Sequence, residues 1–362
     1  MRCLRPVWSR PVTTNVWGEI FRYRAVVATR GFTFASLPSF GISSVPALTA
    51  AVAEHGYDSF WVAETIGTEA FSTLALAAST VPGIGLGTGV LAVQLRTPML
   101  AAMGAATLAG FPGAGPMYLG VGISSPVVVG QWHGAEYGDR PIQRMREYLT
   151  LVRECLSGES VTFDGDFWSC RKFRLGTRFD EAPKLVLGAL NPKMLQLAGE
   201  LADGVLLNYL PATAVPWCIE QVRVGEALTD RPVGSCRIHA YVHVGVATTD
   251  EARVPGQRDL FSYAVVPAYA KAFRRSGFAR EVDDCLEAHA ARNRDGALAA
   301  ISDEMIGAID ICGDSAHIAR AVAAYEAAGV DHSIIMPMPW AADRRASVDA
   351  TIAAAAPSAP AG

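Results

Sequence analysis

Residues 45–65, Val45-Pro46-Ala47-Leu48-Thr49-Ala50-Ala51-Val52-Ala53-Glu54-His55-Gly56-Tyr57-Asp58-Ser59-Phe60-Trp61-Val62-Ala63-Glu64-Thr65, read as helix, stop and strand. Ser44 stands at the N-cap position of a helix over 45–55, and Gly56 stands where a helix ends on a glycine. Tyr57 to Val62 is then a short buried strand. The same unit recurs downstream: helix 71–80, strand 84–89, helix 98–109 opened by Pro98, strand 117–121, and an amphipathic helix over 140–156 with Met145, Tyr148, Leu149 and Val152 on one face. Upstream, Phe32 to Leu37 is a strand stopped by Pro38. After an interruption the alternation resumes with strand 184–187, helix 192–201, strand 204–208, helix 214–228, strand 238–246, helical material from Asp250, an Ala-rich helix over 314–328 and a strand over 333–336. Alternating strands and helices imply right-handed crossovers and a parallel sheet. Eight strands in that order predict an α/β fold of the (β/α)8 TIM-barrel type.

Composition agrees with one large core. Of 362 residues, 51% are hydrophobic and only 18% charged, which excludes a disordered chain. A net charge of −4 lacks the basic footprint of a nucleic-acid binder, so no nucleic-acid partner is expected. The most apolar stretch, 74–93, is broken by Pro82 and glycines, so no membrane span is expected. Seven cysteines at scattered spacing, with no C-x-x-C, point to neither a disulfide framework nor a zinc site and suit a reducing cytoplasm.

Residues 1–30 are Arg-rich with one acid, Glu19, and have no apolar h-region or A-x-A signature. They read as a disordered or loosely docked extension, with a transit peptide as the other reading. A single barrel is expected over 31–340, with insertions at about 158–178 and 255–300, followed by an Ala/Pro-rich tail over 341–362. The first insertion contains two aromatic-rich runs around Asp164-Gly165, a hairpin signal. The second is long enough to form a lid.

The run Gly85-Leu86-Gly87-Thr88-Gly89-Val90 is not a dinucleotide fingerprint, since no helix opens inside it and no acid follows at the required distance. It reads either as a buried strand with packing glycines or as a strand end that lets a flat ring approach the backbone. His239, Tyr241 and His243 alternate on one face of their strand. With no third ligand evident they are expected to line the barrel, and no metal site is expected.

Five segments, GYDSFWVAET (56–65), GIGLGTGVLAVQLRTP (83–98), LGVGISSPVVVGQWHG (119–134), MREYLTLVRECLSGESVTFDGDFW (145–168) and LGALNPKMLQLAGELADGVLLN (187–208), occur in an order and spacing that resembles the luciferase-like flavin-dependent oxidoreductases, in particular their deazaflavin (coenzyme F420) branch. The resemblance covers about 32–337. It implies a barrel with the cofactor at its C-terminal mouth and a bulge at Thr88-Gly89-Val90, often with a non-prolyl cis peptide, pressed against the ring. On that reading Gly89 tolerates no Cβ because its backbone meets the cofactor.

The turn Gly122-Ile123-Ser124-Ser125 matches a cofactor-lining segment, in which Ser124 and Ser125 bond the ring edge or ribityl chain, or else cap the turn before Pro126. Gly188-Ala189-Leu190-Asn191-Pro192-Lys193 matches a phosphate site at a helix start, the other reading being an Asn191 N-cap with Pro at N1. Two departures stand out. The Asp-His common after strand two is Glu64-Thr65 here, which leaves Glu64 as the acid or base. The Gly-Gly-Arg common before strand four is Gly113-Ala114-Gly115-Pro116. His133, over the mouth, is the candidate proton donor. The expected function is F420-dependent hydride transfer to or from a small organic substrate. The alternatives are an FMN-dependent luciferase-like monooxygenase and a non-catalytic flavin-binding barrel; a homodimer is a further expectation.

Overall fold

The computed structural model describes residues 28–357. Eight parallel strands form the frame: β1 Thr29–Thr33, β2 Ser59–Val62, β3 Gly85–Thr88, β4 Met117–Gly122, β5 Lys184–Gly188, β6 Gly204–Leu207, β7 Arg237–Val246 and β8 His332–Pro337. Each pairs with the next, and β1 pairs with β8 through Thr29↔His332 and Gly31↔Ile334, so the sheet closes into a barrel. Side chains alternate across the strands, as a period of two requires. Phe60 and Val62 face the helices while Trp61 points inward; Leu185 and Leu187 face out while Val186 points in. The main core therefore lies between the barrel and its helices α1 Val45–Glu54, α2 Ala70–Thr80, α3 Pro98–Ala109, α4 Pro141–Leu156, α5 Pro192–Leu201 and α6 Val215–Leu228.

The inward glycines have packing reasons. A Cβ on Gly87 would overlap the Trp61 indole, which stacks on Tyr118 at 5.3 Å. At the base, His332 Nε2 meets Ser59 Oγ at 2.8 Å and its Nδ1 meets Thr29 Oγ1 at 2.6 Å. Burial pushes this imidazole down to about 4.

The first strand begins at Thr29 rather than Phe32, because its extent is set by pairing with a strand some 300 residues away. Arg30 belongs to that strand and ion-pairs with Glu326 at 2.7 Å, so the expected extension over 1–30 ends earlier; residues 1–27 lie outside the described residues. Ser44 does not cap α1: its hydroxyl donates to Gly41 O instead. Gly56, at φ 80°, does end that helix in the left-handed region.

The hairpin signal corresponds to antiparallel strands Val161–Asp164 and Ser169–Phe173. The long insertion is helical throughout, as α7 Thr249–Ala264, α8 Pro267–Arg275, α9 Ala279–Ala290, α10 Arg294–Ala299 and α11 Asp303–Ile309. It has a core of its own built on Leu260, Phe273, Val282, Ile301 and Met305. It ends in a short strand, Asp310–Gly313, paired to the end of β7, and α12 Ser315–Ala327 follows. Residues 344–354, expected within a tail, form α13, whose Val348 and Ile352 pack into the main core; residues 358–362 lie outside the described residues. The six described cysteines are free, and no helix among the described residues is long and apolar enough to cross a membrane.

Candidate functional site at the barrel mouth

The C-terminal ends of the strands converge on the face where barrels place their chemistry. The ladder between β3 and β4 is interrupted after Gly87↔Tyr118 and resumes at Leu91↔Val121. In the gap, Thr88 Oγ1 donates to Gly120 O and accepts from Gly120 N, both at 2.8 Å. The hydroxyl replaces the missing rungs, and Thr88 is fully buried, so it stitches the bulge. The Gly89–Val90 peptide is cis. Tyr241 donates its hydroxyl to Gly89 O at 2.8 Å, and a Cβ on Gly89 would overlap that hydroxyl. The barrel interior by itself thus requires glycine at 89.

Val90 is half-buried on the floor of the mouth. Its methyls occupy space that side chains at Gly122 and Gly188 would need; a Cβ on Gly122 would come within 2.7 Å of Val90 Cγ2 and one on Gly188 within 3.2 Å of Cγ1. Val90 therefore fills the space over the ends of β4 and β5 that the two glycines leave open. Ser125 Oγ accepts from Val128 N at 3.2 Å, in the first turn of the π-helical segment Val127–Trp132. Ser124 is half-buried and its hydroxyl has no hydrogen-bond partner among the described residues.

Glu64 is engaged otherwise than as a free acid. Its Oε1 accepts from Ala70 N at 3.0 Å, near the start of α2, and pairs with Arg96 at 3.1 Å; Arg96 also pairs with Glu69. His133 is exposed, and its Nε2 donates to Thr65 O at 2.7 Å, tying the loop after β4 to the loop after β2. Trp132 beside it is 54% exposed.

At the start of α5 the Asn191 side chain makes no cap. Asn191 does stand at the N-cap position with Pro192 at N1, but its Nδ2 donates to Ala268 O and its Oδ1 accepts from Arg275. Pro192 has no N–H, and Lys193 stands exposed in the first turn. Ala189 is buried, with its N–H on Leu206 O, and Leu190 O accepts from Arg275. Arg275 lies 3.9 Å over the Trp217 ring and lines a cleft of about 200 Å³ with Leu190, Thr213 and Ser276. No local pattern could reveal Arg275, because it reaches this loop from the insertion.

The inward face of β7 holds a second surprise. His243 Nδ1 lies 2.9 Å from Asp310 Oδ1 and Nε2 lies 2.8 Å from Asn208 Oδ1. Asp259 accepts from the Tyr209 hydroxyl at 2.9 Å, and Tyr209, held at φ 50°, packs edge-on against the His243 ring at 4.2 Å. Burial pushes His243 down to about 4 and, with Asp310 adding to it, Asp259 up to about 7.

Comparison with known proteins places this architecture. The model of the luciferase-like monooxygenases matches residues 23–332. A Mycobacterium tuberculosis protein named as a coenzyme F420-dependent oxidoreductase is 30% identical over 312 residues, covering 80% of this chain and 89% of its own. A 5,10-methylenetetrahydromethanopterin reductase of Archaeoglobus fulgidus is 25% identical, covering 85% and 96%. Among solved structures, the coenzyme F420-dependent tetrahydromethanopterin reductase of Methanopyrus kandleri superposes with a TM-score of 0.76 at 20% identity, covering 90% of this chain and 96% of that one, which supports the shared fold.

Proposed function

Because the chain belongs to the luciferase-like monooxygenase family of oxidoreductases, we propose that it is an F420-dependent oxidoreductase that moves a hydride between the deazaflavin and a small organic substrate. The observation that carries this reading is at the mouth, where the half-buried Val90 side chain fills the space left by Gly122 and Gly188 and leaves room above them for a planar ring. The relative named for F420 favours a deazaflavin over a flavin on that surface. The residues present fit such a group. The unpartnered Ser124 hydroxyl stands in the turn that follows Gly122. The uncapped first turn of α5, with Lys193 and Arg275 nearby, suits an anionic tail, since helix N-terminal N–H groups and positive side chains favour a phosphate.

The bound deazaflavin would supply the hydride acceptor or donor. Val90 and the bulge would position its plane, with Thr88 and Tyr241 holding the bulge from below. Glu64 and His133 would act on the mouth's shape: one anchors α2 through Ala70 and Arg96, the other ties two mouth loops together. Trp132, exposed next to His133, would shield the reacting face from water once substrate binds. Such preorganisation is the protein's share of catalysis when a cofactor carries the chemistry.

The test is turnover with the purified chain. Oxidised F420 is mixed with candidate alcohols, and F420H2 with candidate unsaturated acceptors, while deazaflavin absorbance is followed. Protein-dependent change supports the proposal. Oxygen uptake with reduced FMN, and none with F420H2, would replace it with the monooxygenase reading. Deazaflavins react poorly with oxygen because carbon replaces N5 of the ring. Binding without turnover across the panel would favour a non-catalytic barrel.

A further inference from the structure

His243, Asp259 and Asp310 come from three separate segments: the end of β7, the middle of α7, and the first residue of the strand that follows the insertion. One ligating atom from each lies within 4.8 Å of the others. The separation of His243 Nδ1 from Asp310 Oδ1, 2.9 Å, is near the roughly 3 Å edge expected between adjacent ligands on metal bonds of about 2.1 Å. Asp310 Oδ2 is buried without a hydrogen-bond partner, although Asp310 itself is fully buried. Among the described residues no Lys or Arg pairs with either acid; the ion pair formed by Asp310 is with His243.

The imidazole is already oriented for a cation. Where Nε2 donates to Asn208 Oδ1, Nδ1 is left to present its lone pair towards Asp310. That lone pair faces a carboxyl oxygen, a contact that a shared proton or a bound cation satisfies. A ligating histidine held through its other nitrogen, and a ligating carboxylate held by a hydrogen bond as Tyr209 holds Asp259, are the outer contacts metal sites use. Two acids with no basic partner in a dry site are neutralised either by protons or by a bound cation.

We propose that His243, Asp259 and Asp310 bind one divalent transition-metal ion of the manganese, iron or zinc class. Mixed imidazole and carboxylate donors suit these ions better than calcium, which takes oxygen ligands. The ion would tie both ends of the helical insertion to the barrel at the rim of the mouth. This goes beyond the cofactor reading and stands independently of it.

The test uses the full chain, stripped with chelator and titrated with Mn2+ alone, reading free hexaaqua Mn2+ by electron paramagnetic resonance. Thermal melts are run in parallel with and without Zn2+ alone. The expected result is suppression of the free signal up to one equivalent, a melt raised by Zn2+, and at least tenfold weaker binding in Asp310→Asn and His243→Gln. If either variant fails to fold by circular dichroism, Asp259→Asn takes its place, and the wild-type titration decides in any case. A free signal that rises from the first addition, or an isotherm unchanged in folded variants, overturns the site.

Discussion

Replacing Gly89 by alanine tests the packing account of the bulge. The added methyl would overlap the Tyr241 hydroxyl, which donates 2.8 Å to Gly89 O. Overpacking of this kind costs about 1–3 kcal/mol. Displacing the phenol also breaks the buried hydrogen bond and strands a carbonyl, worth about 1–3 kcal/mol. Gly89→Ala should therefore destabilise by about 2–6 kcal/mol, and Tyr241→Phe by about 1–3 kcal/mol through the lost hydrogen bonding. The two losses share that bond. In the double variant the nearest atom to the methyl becomes Cζ at 2.7 Å, so the overlap eases without vanishing. The double variant should thus be less destabilised than the sum of the singles, by about 1 kcal/mol or more. Urea denaturation of the four proteins, with unchanged m-values, measures the cycle. Additivity within about 0.5 kcal/mol, or a neutral Gly89→Ala, would refute the reasoning.

Three other outcomes follow from particular contacts. His332 is held near 4 by burial, below its unfolded value of about 6.5. The unfolded chain thus binds the proton first, and stability present above about pH 6.5 falls as pH drops towards 4, by at most about 3 kcal/mol; urea midpoints at pH 7.5 and 4.5 should differ less in His332→Gln, and an unaltered slope would remove His332 from the account. Lys193→Ala and Arg275→Ala should each weaken F420 binding several-fold at low salt, with the gap narrowing at 0.5 M salt, where screening shortens to a few ångströms; dissociation constants equal to wild type at low salt would move the anion site elsewhere. Glu64→Gln keeps an acceptor for Ala70 N but loses the charge facing Arg96, so stability should fall by no more than about 1 kcal/mol and turnover by a small factor; loss of a thousandfold or more in turnover with the fold intact would make Glu64 the proton-transfer group after all.

The barrel was legible because each strand–helix unit carries local signs: Gly56 after α1, Pro98 at the start of α3, and the 3.6-residue face of α4. What those signs could not show depends on distant partners. Thr29 and Arg30 become strand only because β8 is their neighbour. The glycines of 85–89 suggested a ring-facing edge, yet Gly87 and Gly89 make room for Trp61 and Tyr241, whose inward direction is set by barrel closure. Thr88, read as a cofactor contact, serves as a substitute rung. His243 seemed to lack a third ligand because Asp259 and Asp310 lie 16 and 67 residues along the chain and converge through the fold of the insertion. Val90, Gly122 and Gly188, in contrast, do come together at the ends of β4 and β5.

The most direct measurement is an equilibrium titration of the purified chain with F420 and with FMN at low salt, read by quenching of cofactor fluorescence. The account predicts one F420 per chain, bound at least tenfold more tightly than FMN, with affinity reduced when Gly188→Val intrudes on the floor beside Val90. Equal or tighter binding of FMN, or F420 binding indifferent to Gly188→Val in the folded protein, would contradict it.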